Sequence, residues 1–336
     1  MFLKLLRIAL MTSFLAVSAS ASAGSFEDAA SAFERGDYKT GHRLLKPMLA
    51  QGDYRAQYIM GWAYEKGRGV KKDPVKAMSM YQAAVSQGSV AGLAGMARLY
   101  EAGEGVPKDE QKAFDLFKKA ADHGNTEAQY ETGLRYAVGK VVERNPTKAV
   151  EYYRQAAEKG NTEAQYRMGV SYYVGFGVIA NYEAALSYYR KAAEAGHWES
   201  MRFLGHHYYS DKSGSQLNYV LSYMYYELAI MHGAKKDNLV HGGKMITGAR
   251  LNDEQIKEAR ELARAWRVGN PLPTKTRTRV EPKARPVAPP GRVMCHTQCM
   301  DGNCLRTYSD GRTVRFQAEP VFDPVNNQWE WGTGPC

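Results

Sequence analysis

Aromatic side chains return along the middle of this chain at a fixed interval. Tyr64, Tyr100, Tyr136, Tyr172 and Tyr208 are each 36 residues apart. The same interval carries Ala77, Ala113, Ala149 and Ala185, each followed four residues later by Tyr81, Phe117, Tyr153 or Tyr189, and then by Ala84, Ala120, Ala156 or Ala192. Apolar positions at i, i+4 and i+7 predict helices rather than strands. Polar residues mark the helix ends. Asp73, Asp109, Asn145 and Asn181 are N-cap types, whose side-chain oxygen satisfies an orphan backbone N–H. Pro74 and Pro146 follow two of them, at the first helical position, where a missing N–H costs nothing. Gly88, Gly124, Gly160 and Gly196 close the units, where a left-handed C-cap needs no side chain. Each period reads as helix A, a loop holding Gly67, Gly103, Gly139 or Gly175 and then Val70, Val106, Val142 or Val178, and helix B. Small residues alternating with rings let neighbouring helices approach closely.

Two identical stretches, Asn125–Tyr130 and Asn161–Tyr166, anchor the register, and self-similarity at this spacing predicts stacked supersecondary units. The strong units are expected at about 54–88, 89–124, 125–160 and 161–196. A degenerate fifth follows at 197–233, its loop Ser210–Asn218 lacking the Gly-x-Gly-Val signature. A charged helix over 252–267 suits the polar outer face that a terminal unit needs. Phe26–Ala50 supplies a divergent opening pair around Gly36-Asp37-Tyr38.

Ala56-Gln57-Tyr58-Ile59-Met60-Gly61, Gly67-Arg68-Gly69-Val70, Asp73, Lys76-Ala77 and Tyr81 resemble the Sel1-like repeat, a relative of the tetratricopeptide repeat. The resemblance covers Phe26 to Trp266. It implies an all-α region over 24–267, a right-handed α-solenoid, and a role as an adaptor for protein partners. Several exported bacterial members resemble regulators or assembly factors of the cell envelope. In the related fold helix A lines the concave groove. The groove candidates are therefore Tyr58, Trp62, Arg98, Tyr130, Tyr166, Arg202, His206 and Tyr209. Tyr, Trp and Arg dominate protein interfaces. Tyr58, Tyr130 and Tyr166 are also consensus rings suited to packing between helices, whereas Trp62, Arg98 and His206 break the repeat at their positions.

The flanks have a different character. Lys4 and Arg7, the apolar run Ile8–Val17 and the exit Ala21-Ser22-Ala23 have the layout of a cleaved secretory signal over 1–23. The run of about ten residues is too short to span a bilayer. Export to the periplasm or outside the cell is the expectation; an uncleaved anchor is the alternative. Residues 268–292 hold six prolines and six basic residues against one acid, so they read as a semi-extended spacer. About half the net charge of +10 sits there, leaving no basic stripe for nucleic acid. All four cysteines, Cys295, Cys299, Cys304 and Cys336, lie in 293–336. In an exported protein an even number so confined reads as disulfides rather than a metal site. Leu305–Tyr308, a turn at Ser309-Asp310-Gly311 and Arg312–Ala318 predict a hairpin, and a second turn over Asp323–Asn327 leads to a strand with Trp329 and Trp331. This makes a small β module that disulfides would stabilise.

No catalytic motif is present: no Gly-x-Ser-x-Gly, Ser-x-x-Lys, His-Glu-x-x-His or Cys-x-x-Cys, and no Gly-rich phosphate loop before a lysine. Neither cofactor nor metal is expected. Some cysteine-rich relatives of the repeat are associated with β-lactam binding or hydrolysis, which makes a weak hydrolase the alternative to an envelope adaptor. Those relatives carry cysteines inside each repeat, and this chain has none there.

Overall fold

The computed structural model describes residues 23–210 and 218–276, and five later strands by backbone and register. The signal-peptide reading, the loop after Ser210, most of the proline-rich spacer and both turns of the C-terminal module lie outside the described residues. The chain divides into two compact units. One runs to Ser171 and includes Phe176–Ile179; the other comprises Tyr172–Gly175 and Ala180 onward.

The first unit opens with α1 (Ala23–Glu34) and α2 (Tyr38–Ala50). It continues through three A/B hairpins, α3 (Tyr54–Lys66) with α4 (Pro74–Ser86), α5 (Val90–Ala102) with α6 (Glu110–Asp122), and α7 (Thr126–Val138) with α8 (Pro146–Glu158), and then into α9 (Thr162–Val174). The expected punctuation is in place. Asp73, Asp109 and Asn145 each accept from the backbone N–H three residues on. Their own N–H groups return to the carbonyls of Tyr64, Tyr100 and Tyr136 at 2.8–3.0 Å, which closes each loop. Gly67, Gly103 and Gly139 end the A helices in the left-handed conformation.

The periodic small and aromatic residues are the core. Ala77, Tyr81 and Ala84 are fully enclosed, as are Phe117, Ala120, Ala149 and Ala156. Tyr81 of α4 lies between two A helices. A β-carbon added at Gly61 would sit 2.7 Å from its ring, and one at Gly95, in the next repeat, 2.5 Å. Glycine at these two places sets how closely adjacent repeats approach.

The second unit holds α10 (Tyr182–Glu194), α11 (Trp198–Ser210), α12 (Tyr219–Met231), α13 (Asn238–Gly248) and α14 (Asp253–Ala265). Helix α12 is apolar on every side and packs against α11, α13 and α14. All-round apolarity marks a helix covered on all sides. Helix α14 is the expected charged cap, begun by a capping box between Asn252 and Gln255. Helix α13 was not legible in the sequence, because Gly242-Gly243 interrupts it. A β-carbon at Gly243 would sit 2.4 Å from the Tyr226 ring, so close packing on α12 explains that glycine.

Beyond the helices, β1 (Met294–Met300), β2 (Asn303–Tyr308) and β3 (Thr313–Gln317) form an antiparallel sheet, and β4 (Glu319–Asp323) pairs with β5 (Gln328–Gly332). The sequence predicts one hairpin over Leu305–Ala318 and a strand holding Trp329 and Trp331 after Asp323–Asn327; it does not predict β1. Its register places Cys299 opposite Cys304.

Candidate partner-binding surface

The A helices carry a constant small residue at Gly61, Ala97, Gly133, Gly169 and Gly205. One residue further on, the same structural place holds Trp62, Arg98, Leu134, Val170 and His206. The backbone repeats while the side chain offered at this place changes every time.

Among the groove candidates of the first unit, Tyr58 and Tyr130 pack against core tyrosines. The Tyr58 ring lies 5.8 Å from Tyr81, and the Tyr130 ring 6.1 Å from Tyr153. Burial pushes the Tyr58 hydroxyl up to about 12, against the opposing charge of Arg98. Tyr166 is half-buried, with the Arg167 guanidinium 5.7 Å from its ring centroid. Trp62 is half-buried and meets Phe33 edge-on at 6.3 Å.

Arg98 is the hub of an ion network. Its Nε donates to Glu65 Oε1 at 3.0 Å and its Nη2 to Glu65 Oε2 at 2.9 Å. Its Nη1 donates to both carboxylate oxygens of Glu127 at 2.9 Å. The Tyr81 hydroxyl donates to Glu65 Oε2 at 2.5 Å. One guanidinium thus joins α3, α4, α5 and α7, helices of three consecutive repeats. Burial alone would raise the Glu65 carboxyl, but the hydrogen bonds and charge of Arg98, with help from Lys66 and Tyr81, hold it at about 2. Arg98 therefore binds its own scaffold, with all three guanidinium nitrogens engaged.

In the second unit, Arg202 lies half-buried near Tyr226, whose hydroxyl is raised by burial against the effect of that guanidinium. His206 Nδ1 is 3.4 Å from the Ser210 hydroxyl. Tyr209 accepts a 3.3 Å hydrogen bond from Arg250 Nη2, and its ring lies 5.9 Å from Tyr219.

Two open depressions lie on the first unit. One, of about 370 Å³, sits over the ends of α3 and α5 beside Glu65, Arg98 and Glu104. The other, of about 180 Å³, lies between Leu134 and Val138 of α7 and the loop residue Val141. None of those three was singled out from the sequence, yet a signal was present. The third loop reads Gly139-Lys140-Val141-Val142 where the others read Gly-x-Gly-Val. Among the described residues no group of three or more His, Cys, Asp and Glu could hold a metal, and no helix is long and apolar enough to cross a membrane.

A model of the Sel1 repeat matches residues 55–89, 90–125, 126–161, 162–197 and 198–233, more than half of the 336 residues. The chain belongs to the Sel1 repeat family. The matched segments reproduce the expected register to within a residue or so. Sel1 repeat proteins generally serve as scaffolds for protein partners and are typically non-catalytic. The chain is similar to a Sel1 repeat protein from Oxalobacter formigenes, with a TM-score of 0.59 and 26% identity over 71% of this chain and 98% of that one. It also resembles a protective antigen of uropathogenic Escherichia coli (TM-score 0.46, 24% identity, 71% of this chain and 60% of that one) and an immunity protein from Pseudomonas aeruginosa (0.45, 24%, 66% and 86%). No curated protein matches the chain in sequence.

Proposed function

We propose that this Sel1 repeat protein is an exported adaptor that holds a protein or peptide partner in the cell envelope. The observation that carries the reading is the place after the constant small residue, where Trp62, Leu134, Val170 and His206 differ from repeat to repeat, while Arg98 at the same place is tied to the scaffold. Within each unit, a repeating backbone with a side chain that varies from repeat to repeat suits recognition of a protein partner. Export is supported by the basic start, apolar run and small-residue exit of the first 23 residues. Export also suits disulfides, and the register partners Cys299 and Cys304 are the first pair we assign, which leaves Cys295 to join Cys336.

Capture from a native periplasmic extract tests the adaptor reading. The double variant Trp62→Ala, His206→Ala, which spares the Arg98 network, should recover at least fivefold less partner than wild type. Equal recovery by both proteins would remove these positions from recognition. Intact mass of the exported protein should correspond to cleavage after Ala23, with all four thiols oxidised. Peptide mapping without reductant should link Cys299 to Cys304; free thiols would refute the export reading, and a retained N-terminal segment would replace the cleaved signal with an uncleaved anchor.

A further inference from the structure

We propose that Glu194 and Tyr225 form a docking clamp for an extended partner segment in which proline flanks a leucine, and that the chain's own Pro271-Leu272-Pro273 fills this clamp until such a segment displaces it. The proposal rests on the adaptor reading and names a site and a partner chemistry within it.

After α14 the chain turns back across its own unit. Trp266 is buried, meets His232 edge-on at 5.3 Å and donates from its indole N–H to the Asn270 carbonyl at 3.0 Å. The Gly269 N–H reaches the Glu194 carbonyl at 2.8 Å. Two backbone contacts follow. The Leu272 N–H donates to Glu194 Oε1 at 3.1 Å, and the Tyr225 hydroxyl donates to the Pro273 carbonyl at 3.1 Å. Leu272 is only 4% exposed, whereas Asn270, Pro271, Thr274 and Lys275 lie open to solvent. Neither clamp contact reads a side chain, so the clamp accepts any segment that sets a leucine in the same backbone. The prolines supply that backbone. A residue before proline is confined to extended conformations, so Asn270 and Leu272 are pre-ordered and lose little freedom on docking.

The clamp groups have an alternative to the segment, and the first unit displays it. There the corresponding acid and tyrosine are Asp122, at the end of α6, and Tyr152 of α8, the next B helix. The Tyr152 hydroxyl donates straight to Asp122 Oδ1 at 2.8 Å. The ring settings are alike: Tyr152 stacks on Tyr136 at 6.0 Å and 7°, and Tyr225 on Tyr208 at 5.4 Å and 7°. In the first unit acid and tyrosine close on each other. In the second a peptide backbone stands between them, giving its N–H to the acid and its carbonyl to the tyrosine. A pair that is satisfied with or without a peptide makes the segment an exchangeable occupant, held by one buried side chain. Six residues separate Leu272 from the anchored Trp266, a reach of about 20 Å at most. The segment therefore returns to its own clamp and competes in cis with any arriving one.

The test uses the full chain and a labelled peptide with the sequence of residues 268–276. Leu272→Asp, which frees the clamp, should bind that peptide at least tenfold more tightly than wild type, with helical circular dichroism unchanged. A peptide with aspartate in place of its leucine should bind the same variant at least tenfold more weakly. Adding Tyr225→Phe should weaken binding of the leucine peptide at least threefold. Wild type gives a reading that needs no variant: saturating leucine peptide should speed hydrogen exchange at the Leu272 amide at least fivefold. Unchanged exchange, or equal binding of the leucine and aspartate peptides, overturns the proposal. Protection of that amide that grows with protein concentration and ignores the peptide overturns it too, and assigns the clamp to a second copy. If periplasmic capture still depends on Trp62 and His206 while the peptide fails to bind, the clamp is wrong and the adaptor reading stands.

Discussion

Arg98 shows how a side chain that breaks the repeat can serve the scaffold. Two of its faces are taken by Glu65 and Glu127, and Tyr81 adds a hydrogen bond to the same carboxylate. Removing one partner of a buried pair leaves an uncompensated charge, so Arg98→Met should destabilise the protein by about 3–5 kcal/mol. The same network sets an acid dependence. The Glu65 carboxyl is held at about 2, below its ordinary value of 4.5. A depressed folded-state pKa gives stability that is present above the unfolded value and lost as pH falls through the folded one. Urea unfolding of wild type should therefore weaken between about pH 4.5 and pH 2. Glu65→Gln should flatten that interval; an equally steep fall in the variant would exclude Glu65 as its source.

Helices in this chain are written by two kinds of signal, and they differ in how much sequence reveals. Caps and C-terminal glycines act within a few residues, so the boundaries of α4, α6 and α8 follow from Asp73, Asp109 and Asn145. Helix α13 is the opposite case. Gly242 and Gly243 weaken it locally, and it forms because Gly243 lets it approach Tyr226 of α12. The two glycines should respond differently. Gly243→Val puts atoms where the Tyr226 ring stands, which should cost about 1–3 kcal/mol by overpacking and speed hydrogen exchange across α13. At Gly242 nothing lies within 4 Å, so Gly242→Ala should be neutral or stabilising by up to ~1 kcal/mol through helix propensity. Equal effects at both positions would mean that α13 is not held by that contact.

For the molecule as a whole, the 36-residue interval carries the repeat architecture. A repeat unit cannot cover its apolar face alone, so a regular ladder of Ala77, Tyr81 and Ala84 and their counterparts fixes which unit follows which. It also fixes the family, the A/B hairpins and the enclosed core. Tertiary structure decided what each departure from the ladder means. Arg98 and Val141 both break the period. One closes a gap between repeats, and the other lines a depression beside α7. Their difference depends on atoms brought in from neighbouring units, Glu65 and Glu127 in one case and Glu101 and Glu110 in the other. Periodicity is a property of local backbone geometry and burial, which sequence carries directly. The counter-charge or empty space that a single side chain meets is set by distances between helices, and only the packed stack determines those.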